Sequence, residues 1–324
     1  MWQRTLILKR LIYILPVLIF AVCATPASAA RKFVAAVLTS DMPRYKEAYR
    51  AFVKGLAAKG YGEGEVEFVT QTPNPDPISW ANSVRKFSAL DPDILVTFGA
   101  PATISATQEV LRMPIVFVDV YGPVETGISR SMTKAGGNLC GVSSKVPMTT
   151  LIKAMMAIRP VKTLGILYNS RERGSYVQMQ EIKRLAAQQG FAVLEANVPV
   201  ASGLDAALTH VLSKSDCLFV SESSVVNRGM DKVMHKAMRA KVPVISLAPD
   251  AAGKGALVSL EVSPTEQGQL AANHVAKILS GMKPGDLPIL TPRKVDLVIN
   301  LESAKSLDLQ VPFRVLSLAT KVIK

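Results

Sequence analysis

Short apolar runs alternate with segments of helical spacing along most of the chain. In its first part they predict strands at 33–39, 66–69, 94–98 and 115–118, with helices at 45–59 and 79–90. The alternation begins again at residue 163 and predicts strands at 164–167, 192–194, 218–220 and 244–246, with helices at 176–188, 204–212 and 230–239. Alternation of this kind is typical of parallel sheets with helices packed on both faces.

The repeated series predicts an α/β fold of two doubly wound parallel-sheet lobes. We expect the first lobe to comprise residues 31–143 and 262–291, and the second lobe to comprise residues 144–261 and 292–324. In open parallel sheets ligands bind beyond the carboxyl ends of the strands, so two facing sheets would enclose a cleft. Hinged closure around a small ligand is an established motion of two-lobed proteins.

Three chain crossings are expected to join the lobes as a hinge, near 140–147, 258–262 and 290–294. Each lies where one strand–helix series stops and another starts. A helix over 264–280 follows the second crossing. Ser263 is a suitable N-cap for this helix, with Pro264 at its first position and Glu266 at its third.

The first 30 residues have the pattern of an export signal. Three basic residues precede an apolar run at 11–22, and small residues at 27–29 have the spacing that a signal peptidase needs. An uncleaved membrane anchor is the alternative, but about 12 apolar residues fall short of the ~20 that span a bilayer. The sequence therefore predicts a cleaved secretory signal at 1–30.

The chain is basic, with a formal net charge of +13. Residues 1–30 carry three basic and no acidic side chains, so removing them leaves +10. Because the basic residues are scattered, the charge favours a soluble basic surface over a nucleic-acid site. Cys140 and Cys217 lie in apolar, strand-like runs, which favours two buried thiols over a disulfide framework.

A polar loop follows the predicted strand at 164–167, in the stretch TLGILYNSRERGS (163–175). Ser175 and Gln178 match a capping box, which predicts that the next helix begins at the serine. Asn169 and Ser175 also have side chains suited to hydrogen-bond a ligand. Helix capping alone is the alternative for both.

A second turn of this kind follows the predicted strand at 94–98. Gly99, Ala100 and Thr103 are small residues at the start of a helix, where backbone amides can approach a ligand carboxylate. The alternative is a tight turn in which Thr103 only caps the helix.

Acidic residues stand at the ends of four strand-like runs: Asp119, Glu222, Asp250 and Glu261. A carboxylate inside a closed cleft would pair with a ligand ammonium, and a solvated loop position is the alternative for each. Tyr45 and Tyr121 are the aromatic candidates, whereas Tyr168 equally suits the core. Serines near these loops complete the candidate ligand-binding set: Ser40, Ser143, Ser223 and Ser224.

Enzyme signatures are missing from the sequence. The three histidines, His210, His235 and His274, show no metal-binding spacing such as H-E-x-x-H, and no G-x-S-x-G nucleophile motif occurs. The glycines of KGYGEGE (59–65) follow a helix and precede a strand, the reverse of a dinucleotide loop. We therefore expect a binding protein with no cofactor and no metal, and not an enzyme.

Five fragments, in order, resemble the substrate-binding proteins of a group of ABC transporters: DPDILVTFGAPAT (91–103), GGNLCGVS (136–143), TLGILYNSRERGS (163–175), VPVISLAPDAAGKGAL (242–257) and LVINLESAKSLDLQVPFRVLSLATKVI (297–323). The resemblance covers nearly all of the chain after residue 30. It implies a type I periplasmic-binding fold, whose better-known relatives bind aromatic amino acids such as tryptophan. Relatives often have an aspartate where this chain has SESS (221–224), so the identity of the ligand stays open here.

The resemblance further implies a periplasmic monomer that passes a small-molecule ligand to an ABC permease in the inner membrane and does not bind nucleic acid. The expected ligand is an amino acid, aromatic or otherwise, or a related carboxylate. DNA-binding repressors share the two-lobed fold, but they begin with a helix-turn-helix where this chain has a predicted export signal. A soluble sensor that presents its bound form to a membrane receptor or sensor kinase is the alternative function.

Overall fold

The structure, a computed structural model, describes residues 31–324. The predicted signal segment at 1–30 lies outside the described residues. Two sheets with helices packed against them form two lobes. Within residues 31–324 no helix combines the length and the apolar character that crossing a membrane requires.

The first lobe is built on a five-stranded sheet. Its strands are β1 (Lys32–Leu38), β2 (Val66–Gln71), β3 (Ile94–Phe98), β4 (Ile115–Val120) and β5 (Leu139–Ser143). The helices between them are α1 (Pro43–Ala57), α2 (Pro77–Leu90) and α3 (Ala100–Glu109). All strand pairs are parallel, in the order β2-β1-β3-β4-β5.

The second lobe is built on a seven-stranded sheet. Its strands are β6 (Thr163–Tyr168), β7 (Ala192–Asn197), β8 (Cys217–Val220), β9 (Val244–Ser246), β10 (Val258–Val262), β11 (Val295–Asn300) and β12 (Lys321–Ile323). The helices after β5 are α4 (Met148–Ile158), α5 (Arg173–Gln189), α6 (Leu204–Leu212), α7 (Ser224–Arg228), α8 (Met230–Arg239), α9 (Pro264–Leu279), α10 (Leu301–Ser306) and α11 (Phe313–Leu316). All but α9 contribute to the cores of this sheet.

The strand order of the second sheet is β12-β11-β10-β9-β8-β6-β7. Strands β6 to β10 pair in parallel, whereas β10 and β11 are antiparallel, so β11 and β12 run against the rest. The described residues also include two short 3-10 helices, Ala201–Gly203 and Pro284–Asp286. The α/β fold with two parallel-sheet lobes that the sequence predicted is thus confirmed, with a reversed pair at one edge.

The alternation of side chains explains why each sheet has helices on both faces. Val34, Ala36 and Leu38 of β1 pack into one core with α1 and α9, whereas Ala35 and Val37 pack into another with α2 and α3. Strands β3 and β4 are buried along their whole length, and the edge strands β2 and β7 are partly exposed. Burial on both faces is the reason that the inner strands read as continuous apolar runs.

The chain passes between the sheets three times. It leaves the first sheet after β5, returns after β10 into α9, and leaves again through the segment that leads to β11. The first and third passages lie side by side and are joined by two backbone hydrogen bonds. The Leu290 amide donates to the Gly141 carbonyl, and the Ser143 amide donates to the Leu290 carbonyl. As predicted, Ser263 caps α9: its Oγ accepts a 3.3 Å hydrogen bond from the Glu266 amide.

The two cysteines of the described chain, Cys140 and Cys217, are free thiols buried in the two sheets, which confirms that prediction. Burial raises the pKa of the Cys140 thiol to about 12. Both thiols therefore stay protonated and unreactive at neutral pH.

Helix α9 returns to the first lobe by packing closely on α1. Gly268 lies against the backbone of α1, where an added Cβ would clash with the Ala48 carbonyl and lie 2.7 Å from the Phe52 nitrogen. Ala271, Ala272 and Val275 continue the same face into the core of the first sheet. A glycine is therefore required at this crossing of two helices.

We predict that Gly268→Ala lowers the free energy of unfolding by roughly 1–3 kcal/mol, because the methyl group overpacks the α1–α9 contact. Helix propensity alone predicts the opposite sign, a gain of about 1 kcal/mol. Urea unfolding of the two proteins measures the difference. Gly64→Ala is the control, since nothing lies within 4 Å of a Cβ at Gly64; a Gly268→Ala protein as stable as that control would contradict the packing argument.

Candidate functional site

The two lobes are closed on each other at the carboxyl ends of their strands. Among residues 31–324, the side-chain contacts across this edge include Ser40–Ser224 with 3.2 Å between the hydroxyl oxygens, Arg44–Glu222 at 2.7 Å, Asp41–Arg228 at 2.8 Å and Tyr121–Glu181 at 2.7 Å. We call this set of contacts the seam. Each contact of the seam joins two residues that are at least 60 positions apart in the sequence.

Arg44 is the centre of the seam. Its Nη1 lies 2.7 Å from Glu222 Oε1 in the second lobe, and its Nε lies 3.4 Å from Asp119 Oδ2 in the first. Its Nη2 donates a 2.7 Å hydrogen bond to Tyr45 Oη, and the guanidinium carbon lies 4.6 Å from the centre of the Tyr45 ring. The side chain is only 6% exposed. One guanidinium thus faces two carboxylates in a buried setting.

Asp119 reaches Arg44 from an irregular strand end. The pairing of β4 with β5 shifts register between Phe117 and Val120, and Asp119 in this bulge has φ of 56°. A left-handed conformation at a non-glycine residue costs about 1–3 kcal/mol and persists only where surrounding structure holds it. The bulge therefore points the Asp119 carboxylate into the seam at the cost of local strain.

Glu222 is held in place by Gln178 of α5. The Gln178 Nε2 donates a 2.8 Å hydrogen bond to Glu222 Oε2, and the Glu222 amide donates a 2.9 Å bond to Gln178 Oε1. Burial raises the pKa of Glu222 above its usual range, and the nearby Asp119 carboxylate acts in the same direction, whereas Arg44 opposes the shift. The orientation of Glu222 is thus fixed before any ligand arrives.

Glu172 connects two loops of the second lobe by hydrogen bonds. Its buried carboxylate accepts hydrogen bonds from Asn169 Nδ2 at 2.9 Å, Ser223 Oγ at 2.7 Å and the Ser224 amide at 2.8 Å. It therefore occupies the amino end of α7, where an anion is favoured. This bonding connects the loop after β6 to the loop that carries Glu222.

The predicted capping box at Ser175 is wrong. Helix α5 begins at Arg173, two residues earlier, so Ser175 lies inside its first turn. The Ser175 Oγ accepts a 2.9 Å hydrogen bond from the Asn169 amide and lies 2.7 Å from Ser221 Oγ. The Gln178 side chain forms hydrogen bonds with Glu222 and does not cap the helix. Ser175 and Asn169 thus support the loop by bonds within the second lobe, and their contact with a ligand stays a prediction.

The turn at the start of α3 uses its polar groups within the first lobe. Thr103 Oγ1 donates to the Gly99 carbonyl at 2.8 Å, and the Ala102 amide donates to Thr39 Oγ1 at 3.3 Å. Gly99 has φ of 92°, and a Cβ there would lie 2.6 Å from Tyr45 Oη. The tight-turn alternative is therefore what this loop shows, and a ligand carboxylate near Gly99, Ala100 and Thr103 stays a prediction.

Two other candidates lie on the hinge side of the seam. Tyr121 is buried in the second-lobe core, with its hydroxyl on Glu181. The Ser143 Oγ accepts a 3.1 Å hydrogen bond from the Lys145 amide beside the first passage of the chain. Both residues therefore belong to the structure that joins the lobes, and ligand contact by either stays a prediction.

Asp250 and Glu261 do not join the Arg44 cluster. Asp250 lines a cavity of about 230 Å³ at one side of the seam, together with Arg44 and Arg228. Glu261, on β10, is bonded to Ser259 Oγ and to the Asp250 amide within the second lobe. The structure thus places Asp250 in a cavity beside the seam and Glu261 next to the Asp250 backbone.

A second cavity of about 230 Å³ also adjoins the seam, and Arg228 lines both cavities. It is lined by Trp80 and Pro77 of the first lobe and by Asn169, Glu172 and Val225 of the second. Trp80 is buried and donates from Nε1 to the Thr39 carbonyl at 2.8 Å. An aromatic wall opposite polar side chains suits a planar ligand with a polar end.

Sequence reasoning missed four residues that the site depends on: Arg44, Trp80, Glu172 and Gln178. Arg44 follows the end of β1 in the motif DMPRY, so the strand-end rule that selected Asp119 also applies to it. Glu172 stands in the quoted loop but was not selected. Trp80 lies within a helix and carries no such signal, and the sequence pattern assigned Gln178 only to a capping box. Among the described residues no group of His, Cys, Asp and Glu has the geometry of a metal site.

Comparisons with known proteins identify the family. The family described as ABC transporter substrate binding protein matches residues 34–323. A tyrosine-binding protein from Clostridioides difficile strain R20291 is 26% identical over 272 residues, which are 83% of this chain and 79% of that protein.

Two solved structures bear on the closed state. The ABC domain in complex with L-Trp from Streptococcus pneumoniae has a TM-score of 0.86 at 25% identity, covering 91% of this chain and 100% of that one. The ligand-free, open structure of a substrate-binding protein with adhesive properties from Clostridium difficile has a TM-score of 0.68 at 25% identity, covering 90% and 99%. At equal identity, this chain thus superposes better on the ligand-bound structure, as its closed seam leads one to expect.

The two-lobed arrangement with a cleft agrees with these similar structures. The predicted type I periplasmic-binding fold is thus confirmed. The match at 34–323 extends over both sheets, from β1 to β12. The chain therefore belongs to the ABC transporter substrate-binding protein family.

Proposed function

We propose that this protein is the extracytoplasmic solute-binding component of an ABC importer. It captures a small molecule in the cleft between its lobes and presents the closed form to a permease in the inner membrane. The family assignment, the export signal predicted at 1–30 and the closed two-lobed structure support this role. The proposed activity is binding without catalysis.

The observation that carries the proposal is the buried polar cluster built jointly by the two lobes. Asp119 comes from the first lobe and Glu222 from the second, and Arg44 lies between them. A ligand held by groups of both lobes favours the closed form, since its affinity for that form is the greater one. A ligand bound in a surface pocket of one lobe would not couple its binding to closure of the two lobes.

We assign the ligand to the amino acids and related amines. Its ammonium group lies near the Asp119 and Glu222 carboxylates, because buried charge-assisted hydrogen bonds are the strong ones. The Tyr45 ring lies against the Arg44 guanidinium, and Trp80 supplies an aromatic face in the cavity lined by Asn169 and Glu172. The tyrosine and tryptophan recognised by two relatives support an aromatic side chain in the ligand.

We predict that the right amino acid or amine raises the melting temperature of the mature protein. A ligand that binds only the folded form at 100 times its Kd adds about 2.7 kcal/mol to the stability. Thermal-shift screening of aromatic and branched amino acids measures this effect. Indole is the control for tryptophan, because it lacks the charged groups; turnover of any probe without an added partner would contradict a pure binder.

A further prediction concerns the lobes in the absence of ligand. Glu222→Gln removes the ion pair that joins Arg44 to the second lobe, so we expect the open form to gain population and the radius of gyration to increase. Small-angle X-ray scattering measures the radius. Trp80 is the sole tryptophan after residue 30, so its fluorescence reports the change independently.

The control for this experiment is Glu109→Gln. It makes the same chemical change and breaks an Arg–Glu pair of the same length, 2.7 Å, between Arg85 and Glu109 within the first lobe. The control should leave both the radius and the Trp80 fluorescence unchanged. If Glu222→Gln behaves like the control, the seam does not depend on the Arg44 pair.

The pH dependence of binding is expected to follow Glu222. The charged and titratable groups that face it are Arg44, Asp119 and Tyr121, and burial raises the pKa of Tyr121, which stays neutral. Below its raised pKa Glu222 is protonated and loses its attraction for an ammonium group. Affinity should therefore rise with pH, by at most about tenfold per unit, until Glu222 is ionised.

Titration calorimetry between pH 5 and pH 8 measures this dependence for an amine that stays charged over the whole range. In Glu222→Gln the same profile should be nearly flat, because the group that titrates is gone. An equally steep profile in that variant would assign the titration to another group.

A further inference from the structure

A groove of about 790 Å³ on the first lobe has more than three times the volume of either cavity beside the seam. Three parts of the chain line it: residues 59–61 after α1, residues 270–282 of α9 and the turn that follows, and residues 290–293 before β11. We call it the α9 groove. No residue of the described chain lines both this groove and a seam cavity, and the 15 residues of α1 rise about 22 Å between the seam and Lys59. The α9 groove is therefore separate from the cleft.

The floor of the α9 groove is apolar. Tyr61, Leu270, Ala276 and Leu290 line the groove and pack from below against the core of the first sheet. Met282 adds an apolar side chain that is 47% exposed. Because these residues are supported by the core, the floor offers a fixed surface to the apolar part of a ligand.

The cations of the α9 groove have no anionic partner. Lys59, Lys277 and Arg293 are exposed and line the groove, and no acidic residue of the described chain lines it. Within residues 31–324 none of these three forms a salt bridge, whereas an exposed lysine such as Lys32 pairs with an aspartate. The Arg293 amide donates a 2.9 Å hydrogen bond to Glu266 Oε1, which fixes the backbone and leaves the guanidinium available to a ligand.

Three like charges around one groove repel one another. Their field also acts on a neighbouring group of α9, because burial lowers the pKa of His274 and the charge of Lys277 lowers it further, against the hydrogen bond to the Pro288 carbonyl. An anion between the cations offsets the repulsion and gains charge-assisted hydrogen bonds from ammonium and guanidinium groups. The groove thus combines a demand for negative charge with an apolar floor.

We propose that the α9 groove binds a small organic anion whose head is a phosphate or a similar dianion and whose body is apolar. Lys59, Lys277 and Arg293 hold the head, and Leu270 and Met282 contact the body. An inorganic anion uses only the cations and a neutral apolar molecule only the floor, so both parts together define the ligand class. A free organic phosphate and the headgroup of an anionic phospholipid share this chemistry.

Hexyl phosphate is the probe that tests the proposal, with inorganic phosphate and hexanol as its two halves. Titration calorimetry on the mature protein gives the three affinities. We expect a Kd for hexyl phosphate at least tenfold lower than that for inorganic phosphate, and no detectable binding of hexanol. Inorganic phosphate that binds as tightly as hexyl phosphate would overturn the proposal, since the floor would then contribute nothing.

A double variant, Lys277→Gln with Arg293→Gln, tests the position of the site. It should bind hexyl phosphate at least tenfold more weakly, and because both side chains are exposed its melting temperature should stay that of the wild type. The matched control is Lys86→Gln with Lys153→Gln, which removes the same two charges from exposed positions outside the groove. If the control weakens binding as much as the groove variant, binding follows the net charge of the protein and the site is refuted.

Vesicles distinguish the two sources of the ligand. The mature protein is sedimented with vesicles of phosphatidylglycerol and phosphatidylcholine, and with vesicles of phosphatidylcholine alone. Binding to the anionic vesicles that the double variant loses supports a lipid headgroup as the ligand. Binding of hexyl phosphate without binding to vesicles supports a free molecule, and failure of both probes to bind overturns the proposal.

The outcomes are independent of the proposed function, because the α9 groove and the cleft share no lining residue. An amino acid that stabilises the wild-type protein should stabilise the double variant equally. Loss of binding in the groove therefore leaves the solute-binding role intact, and a cleft without a ligand leaves the groove intact.

Discussion

A buried guanidinium is costly to dehydrate unless carboxylates face it, and the seam satisfies this condition only when the lobes are closed. Asp119 reaches Arg44 within the first lobe, whereas Glu222 belongs to the second. Opening the cleft separates Arg44 from Glu222 and returns both groups to water, where hydration replaces most of the lost attraction. The pair therefore biases the lobes toward closure without locking them. Contacts such as Ser40–Ser224 exist only in the arrangement that this pair favours.

This ion pair depends on backbone and side-chain supports in both lobes. In the first, the strained bulge at Asp119 directs a carboxylate toward α1, and the Gly99 turn leaves room for Tyr45 beneath the guanidinium. In the second, Gln178 fixes Glu222 through its side chain and its amide. Because these supports are bonded within their own lobes, each half of the site can persist when the cleft opens. Closure then joins two preorganised halves.

The fold could be predicted from the sequence far better than the site could. Strands such as β3 and β4 are buried on both faces, so their apolar runs are visible without any knowledge of the partner strand. Helix α4 was not predicted, because its sequence MTTLIKAMMAI is apolar on most sides and lacks clear helical spacing. The helix start at Arg173 was missed because Ser175 fits a capping box locally, while its hydroxyl is bonded to the Asn169 amide. Contacts between residues far apart in the sequence, such as Gln178 with Glu222, follow from packing and have no local signal.

The closed form also limits what a ligand has to contribute. Contacts between protein groups already join the lobes, so a ligand shifts the open–closed equilibrium only through interactions that these contacts leave unmade. Glu172 is compensated by Ser223 and its neighbours and has little to gain from a ligand. The Arg44 Nε lies 3.4 Å from Asp119 Oδ2 and makes no hydrogen bond, so this buried donor has the most to gain. The unmet demand beside this ion pair is thus for a hydrogen-bond acceptor at the Arg44 Nε.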